Sequence, residues 1–159
     1  MQGDPEVLRL LNEQLTSELT AINQYFLHSK MQDNWGFTEL AKHTRDESFD
    51  EMRHAEAITD RILLLDGLPN YQRLGSLRVG QSLREQFESD LAIEYEVVAR
   101  LKPAIIVCRE KLDSTTANLF EEIVADEEHH IDYLETQLEL MDKLGVELYS
   151  AQCVSRPPS

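Results

Sequence analysis

The sequence predicts an all-α protein: a four-helix bundle with one long crossover between helices 2 and 3 and a short fifth helix at the C-terminus. Apolar residues recur every three to four positions along four long stretches. Between the second and third stretch, residues 66–82 lack this period and contain three glycines and a proline. The 159 residues are 42% hydrophobic and 28% charged, as expected for a soluble globular chain, and we expect one domain over residues 1–159.

The charge balance excludes some classes of partner. Thirty acidic residues against 15 basic ones give a formal net charge of -15, which disfavours binding to nucleic acid or anionic membranes and favours attraction of cations. Residues 1–6 lack the basic region and apolar core of a secretory signal, and no apolar run approaches the roughly 18 residues of a membrane span. We therefore expect a cytoplasmic protein in which Cys108 and Cys153 are free thiols.

The first two helices are predicted from their caps and apolar stripes. Asp4 is a typical N-cap and Pro5 a typical first residue, so helix 1 is expected to begin there and to end near residues 33–36. Helix 2 is expected over about 37–65. The crossover at 66–82 is long enough to run the length of the bundle. The stripe of helix 1 contains Leu8, Leu11, Leu15, Ile22 and Tyr25.

The second half of the chain follows the same logic. Helix 3 is expected over about 83–111, with Pro103 kinking it or freeing a carbonyl group. Asp113 opens helix 4, which Gly145 ends. Residues 146–154 form a short fifth helix, and residues 155–159 are expected to be a frayed tail.

Glutamates interrupt the apolar stripes at one level of the bundle. Each of the four long helices carries one near its middle, so the four would meet in one layer whichever way the helices run. Four buried carboxylates would repel each other, and a pair of divalent cations would remove that cost. Two of these glutamates precede a histidine by three residues, which places both side chains on one helix face. The predicted ligands, and catalytic residues, are Glu18, Glu51, His54, Glu94, Glu127 and His130.

This set suits two iron, manganese or zinc ions, because it combines carboxylates and imidazoles without thiolates. One sharing of ligands gives each metal one histidine and one terminal glutamate. Glu18 then pairs with His54, Glu94 pairs with His130, and the remaining two glutamates bridge.

Other interpretations of the same residues stay open. Asp126 and His129 are also three apart and form a rival pair on helix 4. The glutamates could instead lie at stripe edges and reach solvent, with the histidines satisfied by hydrogen bonds in the core. Tyr25 could donate a hydrogen bond to a ligand, supply an electron, or serve only as a core residue.

With these residues in view, the chain resembles a bacterioferritin, a haem-containing member of the ferritin-like superfamily. The resemblance covers nearly the whole chain, from Glu18 to the short last helix. Its most specific marker is Met52, directly after Glu51, although a methionine here could also be simple interface filler. The resemblance implies a ferritin-like bundle and haem b held by Met52 from each of two subunits across a two-fold axis.

The resemblance also implies a function. Iron(II) would be oxidised at the di-iron centre by dioxygen or peroxide, a ferroxidase reaction, and ferric mineral stored inside a homo-oligomeric shell of 24 subunits. In some members a ferredoxin-type partner reduces the mineral through the haem. The alternative is a non-storage di-metal carboxylate enzyme that consumes peroxide or activates oxygen.

Further positions follow from the resemblance. Asp50 matches an acidic position on the inner surface, near the di-iron site. Members often carry a histidine at position 46, where this chain has Asp46, so a dedicated inner-surface iron site is in question. The positions that match a small channel between subunits are Asn34, Asp66, Asp132 and Thr136.

Overall fold

The computed structural model describes residues 1–154, and the predicted tail at 155–159 lies outside this range. Within residues 1–154 all regular structure is helical, as predicted. The helices are α1 (Pro5–Asn34), α2 (Thr38–Leu64), α3 (Leu83–Glu110), α4 (Ser114–Leu144) and α5 (Val146–Ala151). None of these helices is long and apolar enough to cross a membrane.

The caps fix the helix bounds close to the predicted residues. The Asp4 carboxylate accepts the amide N–H of Glu6 at 2.8 Å, and Pro5 is the first helical residue. The Asp113 carboxylate accepts the amide N–H of Thr116 at 2.9 Å and so caps α4. Both carboxylates satisfy an amide that the first turn of the helix leaves without a helical partner. Helix α3 continues through Pro103.

The helices pack mainly as two pairs, α1 with α2 and α3 with α4, joined by α1–α3 contacts. Two separate clusters of buried apolar side chains fill the bundle. One is centred on Leu15, Ile58 and Phe120. The other contains Leu40 and Phe87 and includes Tyr149 of α5. The glutamate layer lies between these clusters on α2, α3 and α4.

The crossover at residues 65–82 runs along α1, as its length predicted. Polar side chains of α1 hold its backbone at intervals. Asn12 accepts the amide N–H of Asn70 at 2.8 Å, and Thr20 Oγ1 accepts that of Gly75 at 2.8 Å. Further along, the imidazole Nε2 of His28 accepts the amide N–H of Gly80 at 3.0 Å. These contacts give an irregular segment the backbone partners that it cannot supply itself.

The C-terminal segment packs against the start of α2. Helix α2 has no side-chain hydrogen bond at its N-cap. Instead the carbonyl oxygen of Cys153 accepts the amide N–H groups of Glu39 at 3.1 Å and Leu40 at 3.4 Å. Cys153 and Tyr149 are both buried, so the last described turn belongs to the core.

Candidate metal centre

The structure brings the six predicted ligands together in the middle of the bundle. The four glutamates are at most 2% exposed, and His54 is 8% exposed. Two overlapping groups form, and within each group the possible ligand atoms lie within 4.8 Å of one another. One group is Glu18, Glu51, His54 and Glu127, and the other is Glu51, Glu94, Glu127 and His130.

Glu51 and Glu127 belong to both groups, which is the arrangement expected of bridging carboxylates. Oε1 of Glu127 lies 3.2 Å from His54 Nδ1, and its Oε2 lies 3.4 Å from His130 Nδ1. The Glu51 oxygens divide in the same way, with Oε2 3.6 Å from His54 Nδ1 and Oε1 3.3 Å from His130 Nδ1. Each carboxylate therefore faces both histidines with different oxygens.

Atoms aimed at the interior of this cluster lack hydrogen bonds. Considering only partners within residues 1–154, each of the six side chains has at least one buried nitrogen or oxygen atom without one. Such atoms are costly in a protein core unless another partner satisfies them. Divalent cations satisfy carboxylate oxygens and imidazole nitrogens together, so these residues fit a pair of metal ions. The atoms are Glu18 Oε2, Glu51 Oε1, His54 Nδ1, Glu94 Oε2, both oxygens of Glu127, and His130 Nδ1.

The pKa values of the two shared glutamates are shifted in opposite directions. Burial raises the pKa of Glu51 well above its usual range, and the carboxylates of Glu18 and Glu127 raise it further. Burial would also raise the pKa of Glu127, but its contacts with His130 and His54 outweigh burial and lower it to about 2. Burial opposes protonation of His130, yet the adjacent carboxylates raise its pKa to about 12. Protonated imidazoles therefore partly neutralise the cluster when no metal is bound.

Outer partners orient the ligands. The second imidazole nitrogen of His54, Nε2, lies 2.8 Å from Asp126 Oδ2, and that of His130 contacts Glu47. Carboxylates in this position fix the tautomer that points Nδ1 at a metal. Tyr25 donates its hydroxyl to Glu94 Oε1, which realises one of the roles predicted for it. Burial, together with Asp90 and other nearby carboxylates, raises the pKa of Tyr25.

The outer role of Glu47 was not predicted from the sequence, and Asp126 was predicted only as part of a rival ligand pair. The rival pair does not enter the buried cluster: His129 is exposed, and Asp126 lies at the outer side of His54. The i, i+4 spacing of Glu47 and Glu51 is a signal that could have identified Glu47.

Two openings adjoin the centre. A cavity of about 20 Å³, lined by Tyr25, Asp90 and Glu94 among others, is just large enough for a water molecule. A groove of about 540 Å³ reaches both histidines. Its acidic lining residues are Glu47, Asp50, Glu122 and Asp126. Negative charge along such a groove favours the approach of cations.

Met52 lies away from the centre. It is 48% exposed, although Glu51 beside it is buried, because successive helical residues point about 100° apart. Phe49 and Phe26 are also exposed, at 46% and 44%. These side chains supply exposed apolar surface on α1 and α2.

Comparison with known proteins agrees with this geometry. The Ferritin-like domain family matches residues 8–144. A bacterioferritin of Mycolicibacterium paratuberculosis is 92% identical over the full length of both chains, and one of Brucella melitensis is 46% identical over 94% of this chain and 92% of its own. The solved structure of Mycobacterium tuberculosis bacterioferritin, BfrA, is 86% identical, covers 100% of both chains and superimposes with a TM-score of 0.98. The chain therefore belongs to the bacterioferritins, within the ferritin-like family.

Proposed function

We propose that the protein stores iron and that its metal centre is a ferroxidase site. The observation that carries this proposal is the convergence of six side chains whose inward atoms have no hydrogen-bond partner within the described chain. Carboxylates and imidazoles without thiolates suit iron, and the overlap of the two groups suits two ions held side by side. The bacterioferritin relatives support the same substrate.

The residues divide the work at this site. Glu18 with His54 and Glu94 with His130 would each hold one iron(II) ion, and Glu51 and Glu127 would be shared between the two ions. Two iron(II) ions supply two electrons to the oxidant. Dioxygen and two protons then give hydrogen peroxide, or hydrogen peroxide and two protons give two water molecules. The acidic groove beside the histidines supports entry of iron(II) from solvent.

The wider assembly is part of the proposal. We infer a cytoplasmic shell of 24 identical subunits with ferric mineral inside. The thioether of Met52 is exposed, so at a two-fold contact between subunits it would be available to hold the iron of haem b. A ferredoxin-type reductant would then reach the mineral through the haem. The four positions proposed to line a channel between subunits, Asn34, Asp66, Asp132 and Thr136, are all exposed.

Iron uptake by the assembled protein tests the proposal. Iron(II) added in air to the wild-type shell is expected to be oxidised rapidly and retained as ferric iron far above two ions per subunit. Glu127→Ala is expected to abolish rapid oxidation while the shell still assembles. Glu128→Ala is the matched control, because Glu128 is adjacent but exposed. Rapid oxidation in Glu127→Ala would remove this residue from the site, and rapid oxidation without retention in the wild type would favour a non-storage enzyme.

A further inference from the structure

Glu18 is held from outside the metal centre by a neighbour on its own helix. Gln14 lies one turn earlier on α1, and its Nε2 donates to Glu18 Oε1 at 2.6 Å. Both side chains are fully enclosed, at 0% and 1% exposure. The other oxygen, Oε2, has no hydrogen-bond partner in the described part of the chain and lies 3.6 Å from His54 Nδ1. Gln14 thus holds Oε1 of the carboxylate, and Oε2 faces His54.

Arg100 of α3 determines which way the Gln14 amide points. Its Nη2 donates to Gln14 Oε1 at 2.5 Å and to Ser17 Oγ at 2.6 Å. A guanidinium group only donates hydrogen bonds, and an amide oxygen only accepts them. If the Gln14 amide were reversed, its NH₂ group would face Arg100 and its oxygen would face the Glu18 carboxylate. Both contacts would be lost, so Arg100 fixes the amide in the orientation that donates to Glu18.

We propose that Arg100 is a positioning residue of the metal centre, acting through Gln14 to hold Glu18 with Oε2 toward the metal shared with His54. The proposal rests on the function proposed above, in which Glu18 is a metal ligand. Arg100 itself is half-buried beside a surface pocket of about 210 Å³ and lies away from the buried ligand cluster.

The equivalent ligand on the other side is held differently. Glu94 Oε1 accepts its hydrogen bond from the neutral hydroxyl of Tyr25. The two metal positions therefore receive unequal support, with a charged group behind Glu18 and a phenol behind Glu94. Loss of Arg100 should weaken the position formed by Glu18 and His54 and leave the other position nearly unchanged.

Titration of the metal-free shell with cobalt(II) tests this inference. Cobalt(II) accepts carboxylate and imidazole ligands, and its visible absorbance reports the ligand set and the number of ions bound. Wild-type protein is expected to bind two ions per subunit. Arg100→Met is expected to lower the affinity of one of them about tenfold, as removal of an outer partner of a ligand generally does. Arg100→Lys keeps a charged donor and is expected to restore most of that affinity.

A double-mutant comparison separates the hydrogen-bonded chain from a simple effect of charge. Gln14→Leu is expected to reproduce the loss seen in Arg100→Met, and the double variant is expected to be no weaker than Gln14→Leu alone. An equal loss from Arg100→Met in both backgrounds would mean that Arg100 acts as a remote charge, which overturns the proposal.

A control variant tests local specificity. Arg78 lines the same pocket, pairs with Glu96 at 2.6 Å and makes no side-chain hydrogen bond to Gln14 among the described contacts. Arg78→Met is expected to titrate like the wild type, and a tenfold loss in it would overturn the assignment to Arg100. If Arg100→Met does not assemble, Gln14→Leu decides, because unchanged cobalt(II) affinity in that variant contradicts the proposal. A wild-type shell that binds no cobalt(II) would instead reject the proposed metal centre itself.

Discussion

At the scale of single residues, the metal centre shows how position determines protonation. Glu51 and Glu127 are the same residue type and are almost equally buried. Burial raises the pKa of Glu51, the carboxylates of Glu18 and Glu127 raise it further, and its contact with His130 offsets this only in part. Glu127 lies 3.2 Å and 3.4 Å from two imidazole nitrogens, which lower its pKa to about 2 despite burial. Without metal, the pKa of Glu51 is therefore raised and that of Glu127 is lowered.

This difference predicts that two equivalent substitutions change the stability of the metal-free shell by different amounts. Glu51→Gln replaces the carboxyl, whose pKa is raised, with a neutral group of similar shape, so its thermal midpoint at pH 7 should stay close to that of the wild type. Glu127→Gln leaves two protonated imidazoles without their central carboxylate. It should lower the free energy of unfolding by on the order of 3 kcal/mol, a shift of roughly 6–12 °C.

The sign of the pH dependence follows from the lowered pKa of Glu127. Its contribution is fully present above the unfolded pKa of about 4.5 and is lost as the pH falls through about 2. The gap between wild type and Glu127→Gln should therefore narrow over that window. Equal destabilisation by both substitutions at pH 7 would show that the two carboxyls have the same protonation state.

The burial of single polar residues could be predicted from the sequence where a residue broke an apolar pattern. Glu18, Glu51, Glu94 and Glu127 replace apolar residues on buried stripes, and this is visible without a structure. Gln14, by contrast, is a neutral polar residue in a helix of mixed composition. The proposed role of Gln14 in orienting Glu18 depends on Arg100, which lies 86 positions away in the chain. No spacing rule connects two such residues before the helix packing is known.

At the scale of elements, α1 contributes to two different parts of the structure. One side supplies Glu18 and Tyr25 to the metal centre, and another side binds the crossover at residues 65–82 through Asn12, Thr20 and His28. The helix bounds were predictable because caps such as Asp4 and Asp113 act locally. The path of the crossover was predictable only from its length, because its partners are single polar side chains on α1 with no sequence period of their own.

Gly80 is the tightest point of this crossover and gives an element-scale prediction. A Cβ atom added there would lie 2.3 Å from the backbone nitrogen of Gln86, which cannot move without disturbing α3. Gly80→Ala should displace the crossover, lower the free energy of unfolding by about 1–3 kcal/mol and speed hydrogen exchange of the amides that α1 holds.

Gly75→Ala is the matched control on the same segment. The nearest atom to its added Cβ is the Thr20 hydroxyl oxygen at 3.1 Å, and this side chain can shift. Its effect should be clearly smaller than that of Gly80→Ala. The amide N–H of Arg78 donates to Gln24 Oε1 on α1 at 2.8 Å. If Gly80→Ala retained wild-type protection of this amide, the crossover would accommodate a side chain that the structure leaves no room for.

At the scale of the whole molecule, several large apolar side chains of the isolated chain are exposed. Leu68, Leu74 and Leu77 in the crossover are 85%, 53% and 41% exposed, and Phe26, Phe49 and Met52 add to this surface on α1 and α2. Contiguous exposed apolar surface often marks a protein–protein interface, and these side chains are candidates for one. A two-fold contact pairs each surface with its own copy, so two Met52 thioethers would converge on one point.

Substitution of Met52 tests the proposed haem assignment separately from the proposed assembly. Met52→Leu keeps the size and apolarity of the side chain, so the shell should form with the size of the wild type in chromatography. A leucine has no sulfur atom to bind iron, so the purified shell should lose its haem or hold it weakly, as shown by its visible spectrum. Oxidation of iron(II) should continue at the wild-type rate, because Met52 points away from the buried ligands. An unchanged low-spin haem spectrum in Met52→Leu would assign the haem to another residue, whereas loss of the shell would make Met52 primarily an assembly contact.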